Sequence, residues 1–347
     1  MKTEWKAFLE ESGAEFANDR VIHFGNPERE REVAVSGLVF ADLEYMGVIA
    51  IHGSDAGSFL QSQFTNDTNS VDELGSQLNA YCTPKGRILG LMRVFKRADS
   101  WYLRLPADSL EAVIQRLRMF VMRADVVLED VSENFLRIGV SGEAADAELG
   151  SLVTKLPSEI DAVVHQGELT VIRVPGIQPR YEVYATSLST ARQLWDSLNV
   201  HGAPVGEAAW RLLEIRAGIP TVFAATAELF VPQMMNLELI NGVSFKKGCY
   251  PGQEIVARMQ YLGTLKRRMY AGKIASDKIA LPGYALFPAG EDAQAVGRIV
   301  DAQPHPDGGQ LALAVVQIAA AEAGDMFLGA TDGPAFTLQA LPYSLEA

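Results

Sequence analysis

The chain has 347 residues, 48% of them hydrophobic and 21% charged, with a formal net charge of −13. That length and composition bury a sizeable core in two or three structural units and exclude disorder over most of the chain. The acidic balance argues against nucleic acid or an anionic membrane as the main partner, so neither is expected to bind directly. No apolar run approaches the roughly 20 residues that cross a bilayer.

Residues 1–16 alternate acids with Trp5, Phe8 and Leu9 and lack the basic start and apolar stretch of a secretory signal. A short amphipathic helix and a cytoplasmic location are expected. Residues 48–52 are an extended apolar run. Ser54 and Asp55 then supply cap chemistry, and Ala56, Phe59, Leu60 and Phe64 fall near one helical face. Strands are expected over 89–97 and 101–105, joined by the turn Ala98-Asp99-Ser100. After Asp108, Leu110, Val113, Ile114, Leu117, Phe120 and Val121 keep helical spacing. Extended pieces return at 126–131, 135–140 and 169–174. Helices are expected at 190–198 and 207–217, the second stopped by Gly218 and Pro220.

Beyond residue 268 short apolar runs at 284–287, 296–300, 311–316 and 336–338 alternate with Gly, Pro and Asp clusters. That spacing predicts a small antiparallel barrel or sandwich. The expected fold class is α+β over residues 1–268, followed by a β-barrel domain over 269–347.

Cys82 and Cys249 are the two cysteines, too far apart in sequence to form a local ligand pair. A standard iron–sulfur cluster takes four protein ligands, mostly thiolates, so this chain alone cannot supply them from thiols. The five histidines are scattered without ligand spacing, and no metal site is expected. There is no P-loop and no dinucleotide fingerprint after a strand.

The chemistry concentrates in residues 243–268. Pro251-Gly252 is a turn signal, and 253–259 suits a short helix with Glu254 and Arg258 at i, i+4. Cys249 would precede that helix N-terminus with Lys246 and Lys247 beside it, two features that favour a thiolate. Such a thiol is a candidate nucleophile, redox group or metal ligand. Residues 241–270 carry six cations against the single acid Glu254, a basic segment inside an acidic chain. It suits a small polyanion better than a long phosphate backbone.

Lys247-Gly248-Cys249-Tyr250, one further residue, then Gly252-Gln253-Glu254 resembles the signature of the YgfZ branch of the GcvT superfamily, a tRNA-modifying and iron–sulfur maintenance branch. Phe59-Leu60-Gln61 and Thr65-Asn66-Asp67 are similar to the opening helix of the GcvT-type aminomethyltransferases. Ala217-Gly218-Ile219-Pro220 and Pro232-Gln233 with Asn236-Leu237 extend the likeness, which covers nearly the whole chain. The resemblance implies interleaved lobes, about 1–50 with 127–268 and 51–126, around a central hole that holds tetrahydrofolate. It implies a cellular role in making or repairing iron–sulfur proteins, with reduced folate and iron–sulfur client or assembly proteins as partners. On that basis Cys249, Lys247 and Glu254 are the candidate catalytic residues. Tyr250, Gln253, Arg258, Glu214, Arg216 and Asn66 are the candidate folate contacts.

Two departures separate the chain from the enzymes. Where their Asn-x-x-Gly-Gly-x-x-Asp-Asp stretch carries acids, this chain has Gly90 and Leu91, neither of which moves a proton. Glycine-cleavage activity is therefore not expected. Their Arg-x-Glu-Ala-Gly stretch aligns with Glu214-Ile215-Arg216-Ala217-Gly218, so the acid that meets the pterin is shifted. The leading reading is a folate-binding accessory protein. A one-carbon transferase on another substrate, and a scaffold sharing a cluster with a partner, are the alternatives.

Overall fold

Most strands are covered on both faces, with Val39–Asp42, Ser76–Cys82, Leu136–Ser141 and Arg180–Ala185 buried at every position, whereas Ser100–Pro106 alternates and helix Ala107–Val121 buries one face. The structure, a computed structural model, describes residues 2–290 and 294–345. Its contacts divide the chain into two units that interleave in sequence. One comprises Met1–Ala56, Ser70–Gln77 and Arg93–Leu213, the other Gly57–Asn69, Leu78–Met92 and Glu214–Ala347.

The first unit is built on a six-stranded sheet, in the spatial order Val163–Gln166, Leu169–Arg173, Arg180–Ala185, Leu136–Ser141, Val39–Asp42, Ala203–Val205. The last pair is parallel and the rest antiparallel. Helix Leu188–Leu198 buries Ala191, Leu194, Trp195 and Leu198 and is capped by the Ser187 side chain. The expected amphipathic helix at the N-terminus is Thr3–Glu11, and Glu15–Ala17 beyond it is a strand. Trp5 packs edge-on against Trp195 and donates its indole N–H to the buried Asp42 carboxylate at 2.8 Å. An acceptor for the indole N–H is what makes burial of so large a polar-tipped ring favourable.

A second sheet runs Ser76–Cys82, Ile88–Arg97, Ser100–Pro106, Met46–His52, Val127–Asp130, and the unit boundaries fall within its first two strands. The expected turn is present, with Ala98 at φ +51°. Helix Ala107–Val121 buries Leu110, Val113, Ile114 and Leu117 as its spacing requires. Phe120 departs from the expectation and is 43% exposed, because it sits in the final turn before Met122 breaks the helix at φ +50°.

In the second unit the C-terminal sheet is antiparallel and six-stranded. Its order is Met326–Leu328, Ala285–Pro288, Gly297–Pro304, Gln310–Gln317, Arg267–Ile274, Phe336–Gln339. A bridge between Phe327 and Ala335 ties one edge towards the other, curling the sheet into a half-barrel. The four expected strands are all there. Arg267–Ile274 and Met326–Leu328 were not anticipated, the first because two arginines and Lys273 mask its inward Met269 and Ala271.

Gly272 marks how tightly this sheet is filled. A Cβ there would lie 2.4 Å from the ring of Phe336, which is itself fully buried. Gly272→Ala is expected to cost about 1–3 kcal/mol, the usual penalty of overpacking. It would be read as a lower urea midpoint at unchanged slope, and an unchanged midpoint would contradict the packing.

Candidate functional site

The signature segment is organised by one buried cation. Helix Ala56–Gln63 ends with carbonyls that have no partner in the helix, as every helix does. The amide of Thr65, which would serve the carbonyl of Gln61, instead bonds Ala80 in a neighbouring strand. The vacancy is filled from far along the chain. The Lys247 ammonium donates to the carbonyls of Gln61, Phe64 and Asn66 at 2.7, 2.6 and 2.8 Å. It also lies over the Tyr250 ring, 5.4 Å from the centroid. A cation at a helix C-terminus is favoured by the dipole as well as by the hydrogen bonds. Burial pushes the Lys247 ammonium down to about 8, while the carboxylate of Asp67 pulls the other way.

This geometry corrects the role expected of Lys247. An ammonium has three N–H donors, and all three are committed to carbonyls. Lys247 therefore cannot hydrogen-bond a Cys249 thiolate or the tail of a folate without dismantling the clamp. It fixes the loop that carries the thiol.

Further bonds make that loop a rigid insert. Thr65, fully buried, donates its hydroxyl to the carbonyl of Gly242, and its own carbonyl accepts from the Ser244 amide. Asn66 donates its side-chain amide to the carbonyls of Leu78 and Asn241, while its side-chain oxygen accepts from the Asp67 amide. Asn66 is thus a structural hub, and its side chain has no donor left for a folate. Gln253 reaches the Lys247 carbonyl at 3.4 Å.

Gly252 sits at φ +83°, where a side chain is strained. A Cβ there would meet the Thr83 carbonyl at 2.5 Å, so the turn 83–87 packs directly on the start of helix Gln253–Tyr261. Gln233 donates to the carbonyl of Val256 within that helix. Asn236, left-handed at φ +59° and fully buried, donates to the carbonyl of Met269.

On this frame the thiol faces solvent. Cys249 is exposed, whereas Cys82 is buried and its thiol is pushed up to about 12 by burial. Lys246, Glu254 and Arg258 are exposed too. Tyr250 is buried, and burial pushes its phenol up. Glu214 is 3% exposed. Arg216 is half-buried, and burial lowers its guanidinium below the ordinary value. Leu91 packs in a buried cluster with Val222, Met235 and Leu313, a setting that would oppose any charge at that position.

Sequence reasoning missed Gln63 and Asn79. Both are buried, and among the described residues the Gln63 side-chain oxygen and the Asn79 side-chain nitrogen have no hydrogen-bond partner. No local pattern announces them. Their placement depends on the bridge between Phe64 and Tyr81, a pairing of segments distant in sequence. No group of three or more His, Cys, Asp or Glu among the described residues converges as metal ligands, and none of their helices is long and apolar enough to cross a membrane.

The fold and this site can be set beside known proteins. The GCVT N-terminal domain family matches residues 11–247. A relative named tRNA-modifying protein YgfZ, from Colwellia psychrerythraea, is 34% identical over 229 residues, 66% of this chain and 69% of that protein. The chain belongs to the GcvT family and is of the YgfZ type within it. Among solved structures, the glycine cleavage system aminomethyltransferase T of Bartonella henselae superposes with a TM-score of 0.81 at 18% identity. The match covers 97% of this chain and 96% of that one, which establishes the shared fold.

Two outcomes follow from the clamp. Lys247→Met leaves buried carbonyls without a donor and is expected to cost about 2–4 kcal/mol, measured by urea unfolding. Wild-type stability in that variant would refute the clamp. Iodoacetamide applied to the native protein at neutral pH is expected to alkylate Cys249 and spare Cys82, as read by peptide mass spectrometry. Equal labelling of both would show that Cys82 is not held in the core.

Proposed function

We propose that this chain is a tetrahydrofolate-binding accessory protein for the assembly or repair of iron–sulfur proteins, with Cys249 as its reactive or ligating thiol. The observation that carries the reading is a solvent-facing thiol on a loop clamped by Lys247, on a fold whose expected catalytic acids are Gly90 and the core residue Leu91. A rigidly presented thiol suits exchange or ligand sharing with a partner. The missing acids remove the group that would handle an aminomethyl substrate. Two thiols, one of them buried, make any cluster held at Cys249 one completed by a partner. The name of the Colwellia relative supports clients whose work is tRNA modification. Residues 1–268 form the folate-binding region in this reading and 269–347 the barrel domain, and the protein acts in the cytoplasm.

The residues fit a reduced folate. The unpartnered donor of Asn79 and acceptor of Gln63 are of the kind the amide edge of a pterin takes. Buried Glu214 and half-buried Arg216 offer an acid and a cation in place of the shifted family acid. Tyr250 and Gln253 shape the loop, and Arg258, which is exposed, is the cation assigned in this reading to a carboxylate of the folate tail. When bound, tetrahydrofolate supplies a reduced pterin able to carry a one-carbon unit. What these side chains do is bind and orient it.

Calorimetry with tetrahydrofolate is expected to show binding that weakens severalfold between about 50 and about 300 mM salt, because the tail contact is ionic. Absence of heat with any reduced folate would remove the folate part. Cys249→Ala is expected to keep folate binding and to lower the activity of iron–sulfur enzymes in cells. Unchanged enzyme activity would remove the thiol part.

A further inference from the structure

Around the exposed thiol the second unit presents a face unlike the remainder of this acidic chain. The turn 83–87 is packed on the signature helix, since a Cβ at Gly86 would touch Ile255 at 3.3 Å and the Gly252 carbonyl at 3.5 Å. Phe245 and Tyr261 meet edge to face at 6.0 Å, which joins the far end of the helix to the start of the thiol loop. Three segments therefore pack together, with residues 262–267 running on directly from the helix and Glu228 bonded through its amide to the Ile88 carbonyl beside the turn. The exposed cations of these stretches are Lys85, Arg87, Lys246, Arg258, Lys266 and Arg267, and their exposed acids are Glu228 and Glu254. Among them stand large apolar side chains in solvent: Leu262 is 85% exposed, Tyr261 68% and Ile255 38%.

We infer that this face docks an acidic segment of a partner protein that also carries apolar side chains, bringing the partner to Cys249. Three features select that occupant. Six cations against two acids, in a chain of net charge −13, attract a negative segment locally while the remaining surface repels a long polyanion. Leu262 and Ile255 give nothing to a phosphate backbone and do not stack bases, but they add buried area against apolar side chains. A folate tail is anionic without being apolar, so it would leave Leu262 in water. Exposed apolar groups rimmed by charge are the ordinary anatomy of a protein interface.

This inference rests on the reading of Cys249 as a thiol that serves partner proteins and names the chemistry of those partners. Its test is independent of folate. Fluorescence anisotropy on the full chain would use three labelled probes of about 12 units each: an Asp/Glu peptide interspersed with Leu and Phe, polyglutamate, and single-stranded RNA. The mixed peptide is expected to bind about tenfold more tightly than the other two, and to weaken about tenfold on raising salt from about 50 to about 300 mM. Lys266→Glu with Arg267→Glu is expected to lower its affinity about tenfold, and Leu262→Ser severalfold. Folding of each variant would be checked by its urea midpoint.

Equal binding of polyglutamate would make the face a receptor for small polyanions. Tighter binding of RNA would make it a nucleic-acid surface. Either result, no binding of the mixed peptide, or binding unchanged in the variants overturns the inference. Tetrahydrofolate calorimetry on the same wild-type sample tells these failures apart from failure of the folate reading.

Discussion

A single ammonium group holds the signature segment in place. Lys247 reaches three carbonyls at and just beyond the end of helix Ala56–Gln63. Those carbonyls would otherwise be left without donors, and Lys247 would otherwise be an unpaired cation at 9% exposure. Each side makes the burial of the other tolerable. The consequence for function is geometric: two positions beyond Lys247 the chain is again in solvent, and Cys249 is presented on a loop that cannot drift. Residues 247–252 are thus at once a clamp and a display, with lysine, tyrosine and glycine serving the first and cysteine the second.

The rest of the site follows from this division of labour. Thr65 and Asn66 receive the loop through hydrogen bonds to the carbonyls of Gly242 and Asn241, and Gly252 lets the turn 83–87 approach closely enough to brace the helix. The aminomethyltransferase of Bartonella henselae shares this fold over almost the full length of both chains. Within this scaffold Leu91 lies in an apolar cluster, a setting that opposes any charge at that position.

Much of this was legible in the residues themselves. Helical spacing located Ala107–Val121 and Leu188–Leu198, and Gly/Pro punctuation located the C-terminal strands, because those signals are local. The signature drew attention to residues 247–254. It misassigned Lys247, since charge and proximity in sequence to Cys249 suggested a partner for the thiol. The acceptors that actually claim the ammonium are backbone carbonyls near residue 64, which carry no sequence identity. Asn66 was read as a ligand contact for the same reason, its hydrogen bonds going to the main chain at 78 and 241. Gln63 and Asn79 were invisible because an unpartnered buried amide is a property of long-range pairing.

The central claim is that the Lys247 ammonium orders the loop bearing Cys249, and amide hydrogen exchange tests it most directly. The Ser244 amide bonds the Thr65 carbonyl at 2.9 Å and reports on the seating of the loop. In Lys247→Met its exchange is expected to quicken about tenfold or more, while amides in the paired strands Arg267–Ile274 and Gln310–Gln317 stay protected. Unchanged protection at Ser244, in a variant that remains folded, would contradict the account.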